Sequence, residues 1–108
     1  MTTQHKERAA DIAKRYDDLR ATIPCISHPD QLLVSRGVYA LGPEVVTEVL
    51  EKVKHFKDFN KGNDPWHEHD FGNFEHCGRE FFFKIDDYTT DPSENYRFVL
   101  TVMLASEY

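Results

Sequence analysis

The chain has 108 residues, of which 40% are hydrophobic and 13% aromatic, and its 13 basic and 19 acidic side chains leave a net charge of −6. These values describe one domain over residues 1–108 with a packed core, and argue against intrinsic disorder or a fold held only by disulfides or zinc. The negative balance argues against direct binding of nucleic acid, whose affinity comes mainly from Lys and Arg.

The apolar runs are only a few residues long, against the roughly 20 a membrane span needs, so no membrane association is expected. The first 20 residues are charged throughout, which is unlike a secretory leader. Two cysteines, Cys25 and Cys77, are too few for a disulfide framework, and reduced thiols in the cytoplasm are the expectation.

A first helix is predicted over residues 3–21, within an N-terminal segment 1–22. Ala9, Ile12, Ala13, Tyr16 and Leu19 fall on one stripe at three- and four-residue spacing, and Pro24 stops the helix. After a turn at His28-Pro29-Asp30, the alternation from Gln31 to Leu41 predicts a strand. Pro43 suits the first position of a second helix running to Phe59, with Val45, Val46, Val49, Leu50, Val53 and Phe56 as its apolar stripe. Asn60 to Asp64 reads as a loop.

The remainder reads as β. A strand from Glu68 to Cys77, interrupted at Gly72, turns at Gly78-Arg79 into a second strand from Glu80 to Asp86. A polar loop with Asp91-Pro92 leads to a last strand from Tyr96 to Ser106, apolar on both faces and therefore central. The order α-β-α-β-β-β predicts an α+β fold: a mostly antiparallel sheet of about four strands with two helices packed on one face. The other face would carry an apolar patch of Phe82, Val99 and Met103. Loops would cover that patch, or it would join two copies in a homodimer.

Four of the six histidines lie between His55 and His76. Imidazole and carboxylate are ligands for zinc, manganese and iron. On a strand, His67 and His69 would share one face, with His76 or Asp86 as a third ligand and Glu68 as a general base. This His67–Asp70 cluster carries the alternative reading of a metal-assisted hydrolase. The plainer reading is a polar strand edge with no metal, cofactor or catalytic residue. Lys84, Asp86 and Asp87, near Asp64 and Asp70, read first as a solvated salt-bridge face. Cys77 and His76, adjacent on a strand, would point to opposite faces, which argues against a nucleophilic dyad.

Three stretches carry a resemblance: Asn63-Asp64-Pro65 followed by Glu68-His69-Asp70-Phe71-Gly72; Phe83-Lys84-Ile85-Asp86 followed by Tyr88; and Arg97 with Val99-Leu100-Thr101, Met103-Leu104-Ala105 and Glu107-Tyr108. In this order they resemble a bacterial family catalogued as a domain of unknown function, number 3768, over residues 31–108. His67 stands where that family commonly has glycine, Phe82-Phe83 where it has Phe-Trp, and Asp87 where it has tyrosine. The resemblance implies no established activity. By analogy it implies an accessory protein of a phage or mobile genetic element, including one that blocks a host defence system.

Residues 58–108 carry eleven acidic and four basic side chains. A small acidic domain can cover the basic channel of a nucleic-acid-handling complex, since complementary charge speeds and orients association. The leading expectation is therefore a non-enzymatic protein-binding inhibitor of the anti-CRISPR or anti-restriction type. Its partner-binding residues would be Asp64, Trp66, Glu68, Asp70, Phe82, Asp86, Asp87, Asp91 and Glu94.

Overall fold

The structure, a computed structural model, describes residues 8–91, 93 and 95–108. Its elements in chain order are α1 (Ala9–Ala21), β1 (Gln31–Val34), α2 (Arg36–Tyr39), α3 (Pro43–Lys54), β2 (Phe71–His76), β3 (Arg79–Asp87) and β4 (Phe98–Leu104), followed by a 3-10 turn (Ala105–Glu107). The four strands form one sheet in the order β1-β4-β3-β2. β2, β3 and β4 pair antiparallel, while β1 runs parallel to β4. This is the expected α+β sheet with β4 inside it and helices on one face. Among the described residues no helix is long and apolar enough to cross a membrane.

Strand alternation builds the core. Phe81, Phe83 and Ile85 of β3 and Phe98, Leu100 and Val102 of β4 point to the helical face and are buried. Tyr16 and Leu19 of α1, Val38 of α2, and Val49 and Val53 of α3 pack on them. Fully burying one such apolar side chain contributes roughly 1.5–3 kcal/mol, so these two strands supply much of the driving force for folding. Gly72 of β2 faces the same side. A Cβ there would lie 2.2 Å from the Phe83 ring and 2.8 Å from that of Phe56, so this strand approaches the core as only glycine allows.

Three expected elements differ. The strand predicted to reach Leu41 ends at Val34, and a one-turn helix follows. Ser35 caps that helix by accepting a hydrogen bond from the Val38 N–H, which diverts the backbone from a ladder and turns Val38 into the core. The second predicted helix ends at Lys54 rather than Phe59, because the buried Arg20 of α1 donates to the Val53 carbonyl at 3.0 Å and the Phe56 carbonyl at 3.1 Å. A cation at these carbonyls also suits the negative end of the helix. The strand expected from Glu68 begins only at Phe71, since His67 and His69 have φ of 59° and 61° and break the extended run. The predicted helix residues 3–7 lie outside the described residues.

On the open face, Phe82, Val99 and Met103 are at least half-buried, and Met103 is buried outright. Tyr108 packs against Phe71 and Phe82 with ring centroids 5.9 and 5.5 Å away, so its ring covers part of this patch.

Candidate functional site: an acidic end braced by a histidine

The loop before β2 is built from its own side chains. The Asn60 side-chain oxygen accepts from the N–H groups of Gly62 and Asn63. The Asn63 amide donates to the Asp58 carbonyl and to the Asn73 side chain. Asp64 is 2% exposed, and its Oδ1 accepts from the backbone N–H of both Glu68 and His69 at 3.0 Å. Such a carboxylate holds a tight turn closed. Asp64 therefore works inside the loop and offers no surface to a partner.

His69 is drawn inward. Its Nδ1 lies 2.9 Å from Asp17 of α1, its Nε2 lies 3.6 Å from Asp64, and its ring stacks on Phe59. Asp17 also pairs with Arg20, whose guanidinium lies over the rings of Phe59 and Phe83. Burial pushes the Arg20 guanidinium down from its ordinary value, and Asp17 acts in the opposite sense. Both nitrogens of His69 thus face carboxylates. The ring is a brace between α1 and the loop.

This bracing gathers carboxylates at one end of the sheet. Burial, and then the negative charges of Asp87, Asp70, Glu68 and Asp86, raise the Tyr16 phenol well above its ordinary value. Glu68 is raised by burial and then by Asp70 and Asp64. Asp70 is raised by burial and by Asp64 and Asp86, against a hydrogen bond from its own N–H. Among the described residues, Asp86 pairs with Lys84 at 3.1 Å, whereas no Lys or Arg lies within ion-pair distance of Glu68, Asp70 or Asp87. Two exposed aromatics stand in the same segments: Trp66, 75% exposed, and Tyr88, 57% exposed.

Glu68, Asp70, Asp86 and Asp87 are therefore brought together, with Trp66 and Tyr88 in the adjoining chain. Phe82 lies on the open sheet face under Tyr108. Asp91 sits in the 88–97 loop, where Ser93 donates to its carboxylate through both N–H and hydroxyl, holding it below its usual range. Glu94 lies outside the described residues. The histidines proposed as metal ligands are not assembled: His67 is exposed, His69 is committed to Asp17, and His76 at the far end of β2 meets Glu48 of α3 at 2.8 Å. Tyr16, Asp17 and Arg20 were not singled out as site residues by sequence. Their signal was weak: three polar-tipped side chains on or beside the apolar stripe of an otherwise ordinary amphipathic helix.

Fold and site together define a small α+β domain with one sheet, helices on one face and a charged end. The family of proteins of unknown function DUF3768 matches residues 34–107, and the chain belongs to it. No curated protein and no solved structure matches the chain.

Proposed function

We propose that this protein is a non-enzymatic binding protein that docks its acidic end on a basic surface of a macromolecular partner. The observation that carries this reading is the convergence of Glu68, Asp70, Asp86 and Asp87 around Tyr16. Crowded like charges cost stability in the free domain, and a cationic partner relieves that cost on binding. Trp66 and Tyr88 supply the aromatic contact area typical of interface anchors.

The partner class we propose is a nucleic-acid-handling defence complex of the host, such as a CRISPR or restriction effector, whose substrate channel is basic. The support for this finer step is the acidic end together with the analogy to mobile-element accessory proteins. Purified effector complexes test it. Stoichiometric protein should suppress DNA cleavage, and Asp86→Lys with Asp87→Lys should restore cleavage and flatten the salt dependence of association. Unaltered cleavage by every effector tested overturns the assignment.

A further inference from the structure

We propose that Glu48, His76 and Cys77 form a binding site for one divalent transition-metal ion of the zinc class. The site lies at the opposite end of the β2–β3 hairpin from the acidic cluster and does not depend on the binding reading. The carboxylate oxygen of Glu48, the imidazole nitrogen of His76 and the sulfur of Cys77 all lie within 4.8 Å of one another. His76 Nε2 and Glu48 Oε1 are already 2.8 Å apart. In a tetrahedral zinc site, bonds of about 2.0–2.3 Å place neighbouring ligand atoms roughly 3.3–3.6 Å apart. The three groups reach that spacing by small side-chain rotations.

The backbone explains how two adjacent residues come to share a site. On a continuous strand, His76 and Cys77 would point to opposite faces. The hairpin instead turns through Cys77 and Gly78, with φ of 51° and 78° and with His76 paired to Arg79. Two left-handed residues make the tight turn that asparagine-glycine usually fills. A cysteine in that conformation is uncommon, and here it brings the thiol back to the side of His76. On the facing helix, Lys52 sits one turn beyond Glu48 and donates to the Glu75 carbonyl at 3.1 Å, which holds α3 against this end of β2.

The donor set selects the ion. One thiolate, one imidazole and one carboxylate suit zinc, cobalt or a similar ion, and not calcium or magnesium, which take oxygen ligands. Cys77 and Glu48 are exposed, so an ion has a path in and a fourth position is open to water. Binding releases the thiol proton and fastens α3 to the hairpin.

The experiment is a Co2+ titration of the full chain carrying Cys25→Ser, which removes the other thiol. Thiolate-to-cobalt charge-transfer absorption should appear, saturate at one equivalent and disappear on adding Zn2+. Cys77→Ser should abolish the band. His76→Gln and Glu48→Gln should each weaken affinity at least about tenfold, with circular dichroism confirming that the variants fold. No band in the Cys25→Ser protein, a band surviving Cys77→Ser, or affinity unchanged in both His76→Gln and Glu48→Gln overturns the site.

Discussion

His69 lies flat against Phe59, with ring centroids 3.9 Å apart and planes 1° from parallel. The stack sets the height of the ring, and Asp17 at 2.9 Å sets its rotation. Replacing His69 by Ala removes both and leaves Asp17 with Arg20 alone. The expected loss is about 2 kcal/mol, the scale of one charge-assisted hydrogen bond plus aromatic packing. His69→Phe keeps the stack and should fall between wild type and alanine. Urea denaturation of the three proteins measures the order.

Gly72 gives a sharper test of the packing. A methyl group there meets two buried rings, Phe83 and Phe56, and neither is the free end of a flexible side chain. Gly72→Ala should cost about 3 kcal/mol or abolish folding. Gly37→Ala is the control. Its Cβ meets the exposed carboxylate of Glu107, which can move but gives up its hydrogen bonds to Ser35, Gly37 and Leu104 in doing so, so the cost should be smaller, about 1–2 kcal/mol. Similar midpoints for the two variants would refute the close approach of β2 to the core.

His67 holds a φ of 59° in an exposed position. A left-handed conformation costs a non-glycine residue roughly 1–2 kcal/mol, partly offset by the greater unfolded-state freedom of glycine. His67→Gly should therefore stabilise the protein by about 0.5 kcal/mol, read as a raised denaturation midpoint. A lowered midpoint would show that the imidazole makes a contact worth more than the strain.

The core was legible from period-two patterning because β3 and β4 bury alternate residues without exception from Phe81 to Ile85 and from Phe98 to Val102. The gathering of Glu68, Asp70, Asp86 and Asp87 followed from their places beside the paired ends of β2 and β3. What escaped was set by single side chains acting at a distance. Arg20 ends α3 through carbonyls 33 and 36 residues away. His67, His69 and Cys77 reverse the side on which a residue points by adopting positive φ, which no alternation rule for strands anticipates. Ser35 starts a helix where the apolar pattern reads equally well as strand.

Ser35 and Glu107 are joined across the sheet edge. The Ser35 hydroxyl and the Gly37 and Leu104 N–H groups all donate to the Glu107 carboxylate. The Ser35 bond first, then the Leu104 N–H, holds this carboxyl below its usual range. A depressed folded pKa contributes stability above the ordinary carboxylate range, and that stability is lost as pH falls through the folded value. Ser35→Ala should cost about 1 kcal/mol at neutral pH, the usual cost of a lost cap. Glu107→Gln should be destabilising at pH 7 and close to neutral in strong acid.

Glu68 has the opposite sign. Burial, then Asp70 and Asp64, raise its folded pKa, so the folded protein holds a proton there in a pH range where the unfolded chain has lost it. Stability then falls as pH rises through that window, and the full penalty is present at neutral pH. Glu68→Gln should raise the melting temperature at pH 7 in low salt. The gain should shrink below the carboxylate range, where Glu68 is protonated in both states, and shrink again at high ionic strength. The same substitution removes one of the charges offered to a cationic partner, so tighter folding should come with slower association. A variant that is more stable yet associates at the wild-type rate would separate the strain at this end of the sheet from recognition.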